Sequence, residues 1–314
     1  VAYVHIFVLY ILILISIGGK IIMNNIPYVH YSKDKNSLLK TYFIALIPLI
    51  LFSFYKNGLM LYQNSFISFI DIFIPLYFYL ISIGVGFLVS YLNKENKWEY
   101  ILYSLIIACS ISINTNKIIY PILLFIALFT TSYLAKKHDF NFLASSRILI
   151  ILTLFIGSYS YLNVAEKLNA FNYDIFDLFF GYQVSGIATS SLFFLSISAI
   201  ILFMCRFYKK LIPLMASLSF LIISLILYFL TKETNFLSSL LNGSIYFGFL
   251  FVASDLTHSP ATKTGMIIYG LLIGVLTAIF GIFLPIYEIS YISIFLISFL
   301  IPLIDKIIVK KFKK

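Results

Sequence analysis

Apolar residues run almost unbroken through long stretches of this chain, as in Ile44–Phe54 and Leu211–Leu230. A membrane β-barrel would alternate apolar and polar residues at every step. Unbroken runs predict helices, which satisfy their own backbone groups and so suit lipid. Roughly 20 apolar residues cross a bilayer core. Ten spans are predicted, at 39–55, 67–92, 98–113, 116–135, 144–162, 189–206, 210–231, 237–255, 266–284 and 286–304. The predicted fold class is therefore an all-α polytopic membrane protein.

The one long connection, 163–188, divides the spans into five and five. An odd number of spans per half gives the halves opposite orientation, the arrangement of inverted repeats. The expected organisation is a first five-helix half at 23–162, the loop at 163–188, a second half at 189–306 and a basic tail at 307–314. Aromatic residues in the loop (Phe171, Tyr173, Phe176, Phe179, Phe180, Tyr182) predict packing there. Residues 1–22 are apolar but lack the basic start and small-residue cleavage site of a signal peptide. They read as an upstream read-in before Met23, or as an extra helix.

Composition agrees with lipid as the solvent. Residues are 61% hydrophobic and 11% charged, with a mean hydropathy of +1.02. Soluble domains carry about 25% charged residues. The net charge of +10 does not indicate nucleic acid, because the cations sit in short clusters between spans. With the N-terminus inside, 16 Lys and Arg residues fall in inside segments, against Lys56, Lys117, Lys167 and Lys232 outside. That asymmetry puts both termini on the cytoplasmic side of a bacterial inner membrane. Cys109 and Cys205 lie in separate spans and read as small apolar residues. His5, His30, His138 and His258 are scattered, with no pair at metal-ligand spacing. No phosphate loop, GxGxxG or Ser/His/Asp arrangement occurs.

Four polar segments interrupt the apolar background: Pro27–His30 with Ser32–Asp34, Asp139–Arg147, Gly181–Ser191 and Ala253–Gly265. The last reads ASDLTHSPATKTG. Its hydroxyls, with Lys263, suit an anionic group such as phosphate, and also suit ordinary helix caps. Arg147 reads either as a cation facing a partner at membrane depth or as a snorkelling loop residue. Asp71 reads as an interfacial residue or a cation ligand.

These segments resemble the D subunit of the Rnf electron-transport complex, a family related to the B subunit of the sodium-pumping NADH:quinone reductase. Ala253–Gly265 is similar to the family's Ala-Thr-Asp-Pro loop and continues into Tyr269-Gly270 and Gly274–Thr277. Pro302-Leu303-Ile304-Asp305-Lys306 resembles its Pro-Leu-Ile-Asp-Arg, and Asn141–Arg147 its Asn-Pro-Ala-Leu-Ala-Gly-Arg. Pro27–Val29 and Gly181–Ser191 match two further segments, so five motifs occur in order over about residues 26–306.

The resemblance implies a membrane component of a redox-driven ion translocase rather than a stand-alone enzyme. Such complexes couple electron flow between ferredoxin and NAD to Na⁺ or H⁺ movement. Its partners would be subunits of the A, B, C, E and G types, within the lipid bilayer. It also implies FMN, with Asn141, Arg147, Asp255, Thr257 and Thr262 as cofactor-binding candidates. By motif position, Arg147 would hold the phosphate and Asp255 would order the loop. The family attaches flavin to a Thr after its fifth span, but the corresponding Gly157–Leu168 contains no Thr. The nearest hydroxyls are Ser158 and Ser160. Thr189 closes a similar Ser-Gly-Ile-Ala-Thr run that aligns instead with another family segment. Two other functions stay open: a channel or secondary transporter on an inverted-repeat scaffold, and a structural subunit without flavin. The first would use Asp71, Ser104, Ser110, Ser112, Ser196 and Asn242 along a polar path.

Overall fold

A computed structural model of the chain describes residues 32–65, 67–137, 141–156, 175–182, 185–231, 240–255, 259–260, 262–283 and 289–312. Among these residues the secondary structure is entirely helical. Residues 1–22, Thr257, Ser158 and Ser160 lie outside them. The helices in order are α1 (Ser32–Phe54), α2 (Ile74–Asn93), α3 (Lys97–Ser110), α4 (Ile119–Lys137), α5 (Phe142–Ile156), α6 (Ile175–Phe180), α7 (Leu192–Met204), α8 (Leu211–Thr231), α9 (Gly243–Phe247), α10 (Lys263–Phe283), α11 (Ile289–Ser298) and α12 (Ile301–Phe312). A wider π turn, Tyr55–Met60, extends α1, and a second, Gly248–Val252, extends α9.

Four helical stretches are long and apolar enough to cross a membrane, namely Lys35–Gln63, Ile70–Asn93, Leu211–Leu230 and Lys263–Gly281. Their lipid-facing sides are exposed apolar residues such as Leu51, Leu80 and Phe229. Shorter apolar helices occupy other predicted spans. The predicted 98–113 ends at Ser110. The predicted 237–255 is described as helix only over Gly243–Val252. The predicted 286–304 is broken between α11 and α12. Pro302 explains that break: it has no N–H to give the Ser298 carbonyl four residues back, and its ring clashes there, while proline suits a first helical turn. Helix α12 then carries residues 307–312, expected as tail, to Phe312. The short α6 within the long connection is an element that the apolar pattern did not predict.

The packing repeats between two sets of five helical elements. In the first set, α2 packs on α3 and α4, α4 on α5, and α3 on α1 and α5. The second set repeats this with α7, α8, α9 with its π turn, α10 and α11 in the corresponding places. Between the sets, α1 meets α7 and α5 meets α11, so first helix meets first and fifth meets fifth. That is the contact pattern of a pseudo-two-fold axis. At one of these junctions Ser198 donates to the Ala45 carbonyl at 2.7 Å, and the rings of Phe52 and Phe194 stack at 4.6 Å.

Close helix contact rests on small residues, as in other membrane helix pairs. Gly270 and Gly274 lie one turn apart on α10, and a Cβ at either would strike the α8 backbone near Ile212 and Ala216. The third helix of each set is short. α3, with 14 residues, reaches about 21 Å, and the 10 residues of Gly243–Val252 reach about 15 Å. Both fall short of a hydrocarbon core of roughly 30 Å. Buried non-helical backbone lies against both, which is tolerated at depth only where protein surrounds it.

Candidate functional site

That non-helical backbone is the segment 185–191, a buried strap laid across the ends of both short helices. Ile187 N–H donates to Ile111 O at 2.7 Å and Ala188 N–H to Cys109 O at 2.8 Å. Gly186 lies so near Ser110 that a Cβ would sit 2.5 Å from its carbonyl oxygen. At the other short helix, Gly243 abuts the Thr189 and Ser190 carbonyls with no room for a side chain. Asn242 caps that helix by accepting from Ser244 N–H at 3.0 Å. Thr189 Oγ1 lies 2.8 Å from Ser244 Oγ. The π turn of α1 presents Asn57, whose Nδ2 donates to Ile187 O at 2.7 Å.

Helix α5 ties the two short helices together. Arg147, fully buried, donates from Nη2 to Ser110 O at 2.9 Å, at the C-terminal end of α3. A cation there suits the partial negative charge of a helix C-terminus. Asn141, also fully buried, donates from Nδ2 to Val252 O at 2.9 Å, the end of the other short helix. Its Oδ1 accepts from Ala144 N–H at 2.9 Å and so caps α5.

Beyond Val252, a dense polar corner surrounds the described residues of the segment 253–265. Tyr42 donates to Ser254 O at 3.0 Å. Ser254 Oγ lies 3.1 Å from the Tyr208 hydroxyl, which itself donates to Leu250 O at 2.8 Å. The hydroxyl of Tyr103 lies 3.1 Å from Asp255 Oδ1 and 2.9 Å from Glu99 Oε1. Lys35 closes the row with an ion pair at 2.6 Å to Glu99 Oε2. On the far side, Ser259 donates to Asp255 O at 2.6 Å. Lys209 Nζ then donates to Ser259 O and Oγ at 2.9 and 2.6 Å. Burial brings the Lys209 amine down to about 8, while Asp255 and Asp305 pull the other way. Thr262 Oγ1 accepts from Gly265 N–H at 3.1 Å in the first turn of α10, beside the buried Asp305.

The structure thus brings Asn141, Asp255 and Thr262 to one polar corner. It places Arg147 farther along α5, at the end of α3, and Thr189 in the strap. The described residues of the segment 253–265, singled out in the sequence, form the middle of the corner. Sequence reasoning missed Glu99, Tyr103, Tyr42, Tyr208 and Lys209 as its walls. The available signal was Glu99, an acid in the first turn of an apolar span with Tyr103 four residues later. Asp71, considered as a cation ligand, accepts from Ser68 at 2.8 Å and faces Lys117 at 3.7 Å.

The motif of strap, capped half-helices and polar corner is distributed over nearly the whole chain, and so is the family match. The NQR2, RnfD, RnfE family matches residues 22–314. The chain belongs to this family. It is also similar to the D-type subunit of an ion-translocating oxidoreductase complex from Methanosarcina acetivorans, at 32% identity over 87 residues. That stretch is 28% of this chain and 28% of the relative's length. The family match gives an integral membrane subunit of the Rnf and Nqr type, and the relative's name refers to a complex of several subunits.

Proposed function

We propose that the chain is the D-type membrane subunit of an Rnf-type complex, coupling electron flow between ferredoxin and NAD to ion movement. It would assemble with A-, B-, C-, E- and G-type subunits in a bacterial inner membrane, with both termini cytoplasmic. The observation that carries this reading is the family match over 22–314. The sequence motifs 253–265 and 141–147 meet at Val252, where Asn141 holds the short helix that leads into the loop.

FMN is the redox group that the reading proposes, and it would supply electron transfer. The described candidates do not form a cradle for its phosphate. Asn141 is engaged with Val252 O and Ala144 N–H. Thr262 caps α10, and Arg147 Nη2 is directed to the end of α3. What this corner does is hold backbone: Asn141 fixes the C-terminal end of one short helix, and Glu99, Tyr103 and Asp255 are buried beside it with Lys35 at their outer end.

The test is the visible absorbance of the full chain purified with its partners, followed by in-gel fluorescence after denaturation. An FMN spectrum without a fluorescent band supports a non-covalent flavoprotein. A fluorescent band overturns the expectation that the covalent site is missing, and absence of flavin overturns the flavoprotein reading.

A second reading, a channel or secondary transporter, draws support from the strap, because non-helical backbone at membrane depth also builds transporter sites. Solute uptake by liposomes holding the chain alone, with no flavin absorbance, would favour it.

A further inference from the structure

Where α2 ends and α3 begins, the surface carries a groove of about 490 Å³, within the roughly 300–1,000 Å³ of small-molecule sites. Phe87, Tyr91 and Leu92 on α2 line it, with Lys94, Glu95 and Lys97 in the turn and at the start of α3. The turn is held by its backbone. Lys94 takes a left-handed conformation at φ 56°, and Glu95 N–H donates to Ser90 O at 3.1 Å. The Lys97 ammonium stands over the Phe87 ring, 5.9 Å from its centroid, where the negative π face attracts a cation. Two lysines against one glutamate leave the groove one net positive charge. The first turn of α3, a helix of 14 residues, adds partial positive charge.

The groove opens onto an apolar stripe. Along α2, Leu80, Ile83, Phe87 and Leu88 are exposed, on a span apolar enough to cross a membrane. Gly84 lies among them, and a Cβ there would meet nothing within 4 Å. Its missing side chain leaves a recess between Leu80 and Leu88, one turn to either side, in which an acyl chain can lie. At the rim, Tyr91 and Trp98 are exposed, and Trp98 sits edge-on to Phe43 of α1 at 6.3 Å. Tryptophan and tyrosine mark the headgroup level of a membrane. A polar cup at that level, cationic by one charge and continuous with an apolar recess, matches a phospholipid with one net negative charge.

We propose that this groove binds one anionic phospholipid, with its phosphodiester at Lys94 and Lys97 and an acyl chain along α2 over Gly84. Lysines beside a membrane attract anionic headgroups in general. Here the fixed turn and the Phe87 ring hold two of them at one groove. Glu95 limits the excess to one charge, which a phosphatidylglycerol headgroup neutralises and a zwitterionic headgroup does not. The groove involves neither the strap nor the polar corner, so the proposal goes beyond the electron-carrying reading and stands without it.

Trp98 is the only tryptophan in the chain, so its fluorescence reports on the rim of the groove. The full chain is placed in phosphatidylcholine vesicles that contain a small fraction of brominated lipid, either phosphatidylglycerol or phosphatidylcholine, with bromine near the ester. The expected result is quenching about fivefold stronger per lipid by the anionic species, as one net cation beside an anionic lipid gives. Lys94→Gln with Lys97→Gln removes the preference. Gly84→Leu fills the recess and weakens the preference although both lysines remain. Lys310→Gln with Lys311→Gln, the same loss of charge at the end of α12, keeps it. Equal quenching by the two lipids overturns the proposal. So does quenching by neither, which a protein covering the groove would give. A preference that survives loss of Lys94 and Lys97, or a Gly84→Leu variant that behaves as wild type, overturns it as well. A preference lost equally in the Lys310 and Lys311 variant would be surface charge alone and would overturn it too. Should the Lys94 and Lys97 variant fail to fold, the wild-type preference and its weakening in Gly84→Leu decide alone.

Discussion

Arg147 Nη2 donates to the Ser110 carbonyl at 2.9 Å and so joins the second turn of α5 to the end of α3. Six residues earlier, about 9 Å along a helix, Asn141 makes the equivalent bond to Val252. One helix thus holds the C-terminal ends of both short helices, one from each inverted half. Helix ends that stop inside a membrane leave carbonyls without helical partners, and these two residues supply the missing donors.

Arg147→Met should therefore destabilise the fold. A buried carbonyl loses a charged donor, which costs about 3 kcal/mol. Arg147→Lys should recover little of it, since an ammonium does not reproduce the guanidinium fork. Thermal unfolding in detergent checks this, with Arg147→Met expected to melt several degrees below wild type and Arg147→Lys close to Arg147→Met.

The strap makes a second prediction. Gly243→Ala places a methyl group against the Thr189 and Ser190 carbonyls, and Gly186→Ala places one 2.5 Å from Ser110 O. Both sites are walled by backbone and cannot relax cheaply. Both variants should lose most of the monodisperse protein in size-exclusion chromatography. Gly281→Ala, with nothing within 4 Å of the added carbon, should elute like wild type.

Lys209 gives a pH signature. Burial lowers its amine to about 8, from a usual 10.5. Between these values the unfolded chain holds more protons than the folded chain, so this group's contribution to stability rises with pH. It is fully present above the unfolded value and lost as pH falls through about 8. Apparent melting temperatures from about pH 8 to 10 should show this rise in wild type and a flatter profile in Lys209→Met.

Orientation is tested by cysteine placement. Ile118 and Trp98 are both exposed, at 76% and 62%, and lie at opposite ends of the bundle. An impermeant maleimide on intact cells should label Ile118→Cys and spare Trp98→Cys until the membrane is opened. The reverse labelling would invert the topology.

Much of the fold was legible because lipid imposes a simple rule: apolar runs of span length become helices. The five-plus-five count followed from the single long loop at 163–188. The pattern could not show where a span stops being helical. Ser110 and Ser112 look alike in sequence, yet α3 ends at Ser110 because Arg147 and the strap meet its carbonyls there. Pro302 was a readable break, since its effect is local. At the site, the segment 253–265 stood out by its hydroxyls. Tyr103 and Tyr42 were hidden, because a tyrosine on an apolar helix reads as core until its hydroxyl is seen to reach another helix. Lys209 counted as one more basic loop residue, although its burial depends on α10 and α12 packing beside it.

The most direct test of the account is electron-driven ion uptake in inverted membrane vesicles from cells with and without this chain. With reduced ferredoxin and NAD supplied, loss of the chain should abolish uptake, and restoring it should return uptake to the original level. Unchanged uptake without the chain would contradict its place in an ion-translocating oxidoreductase complex.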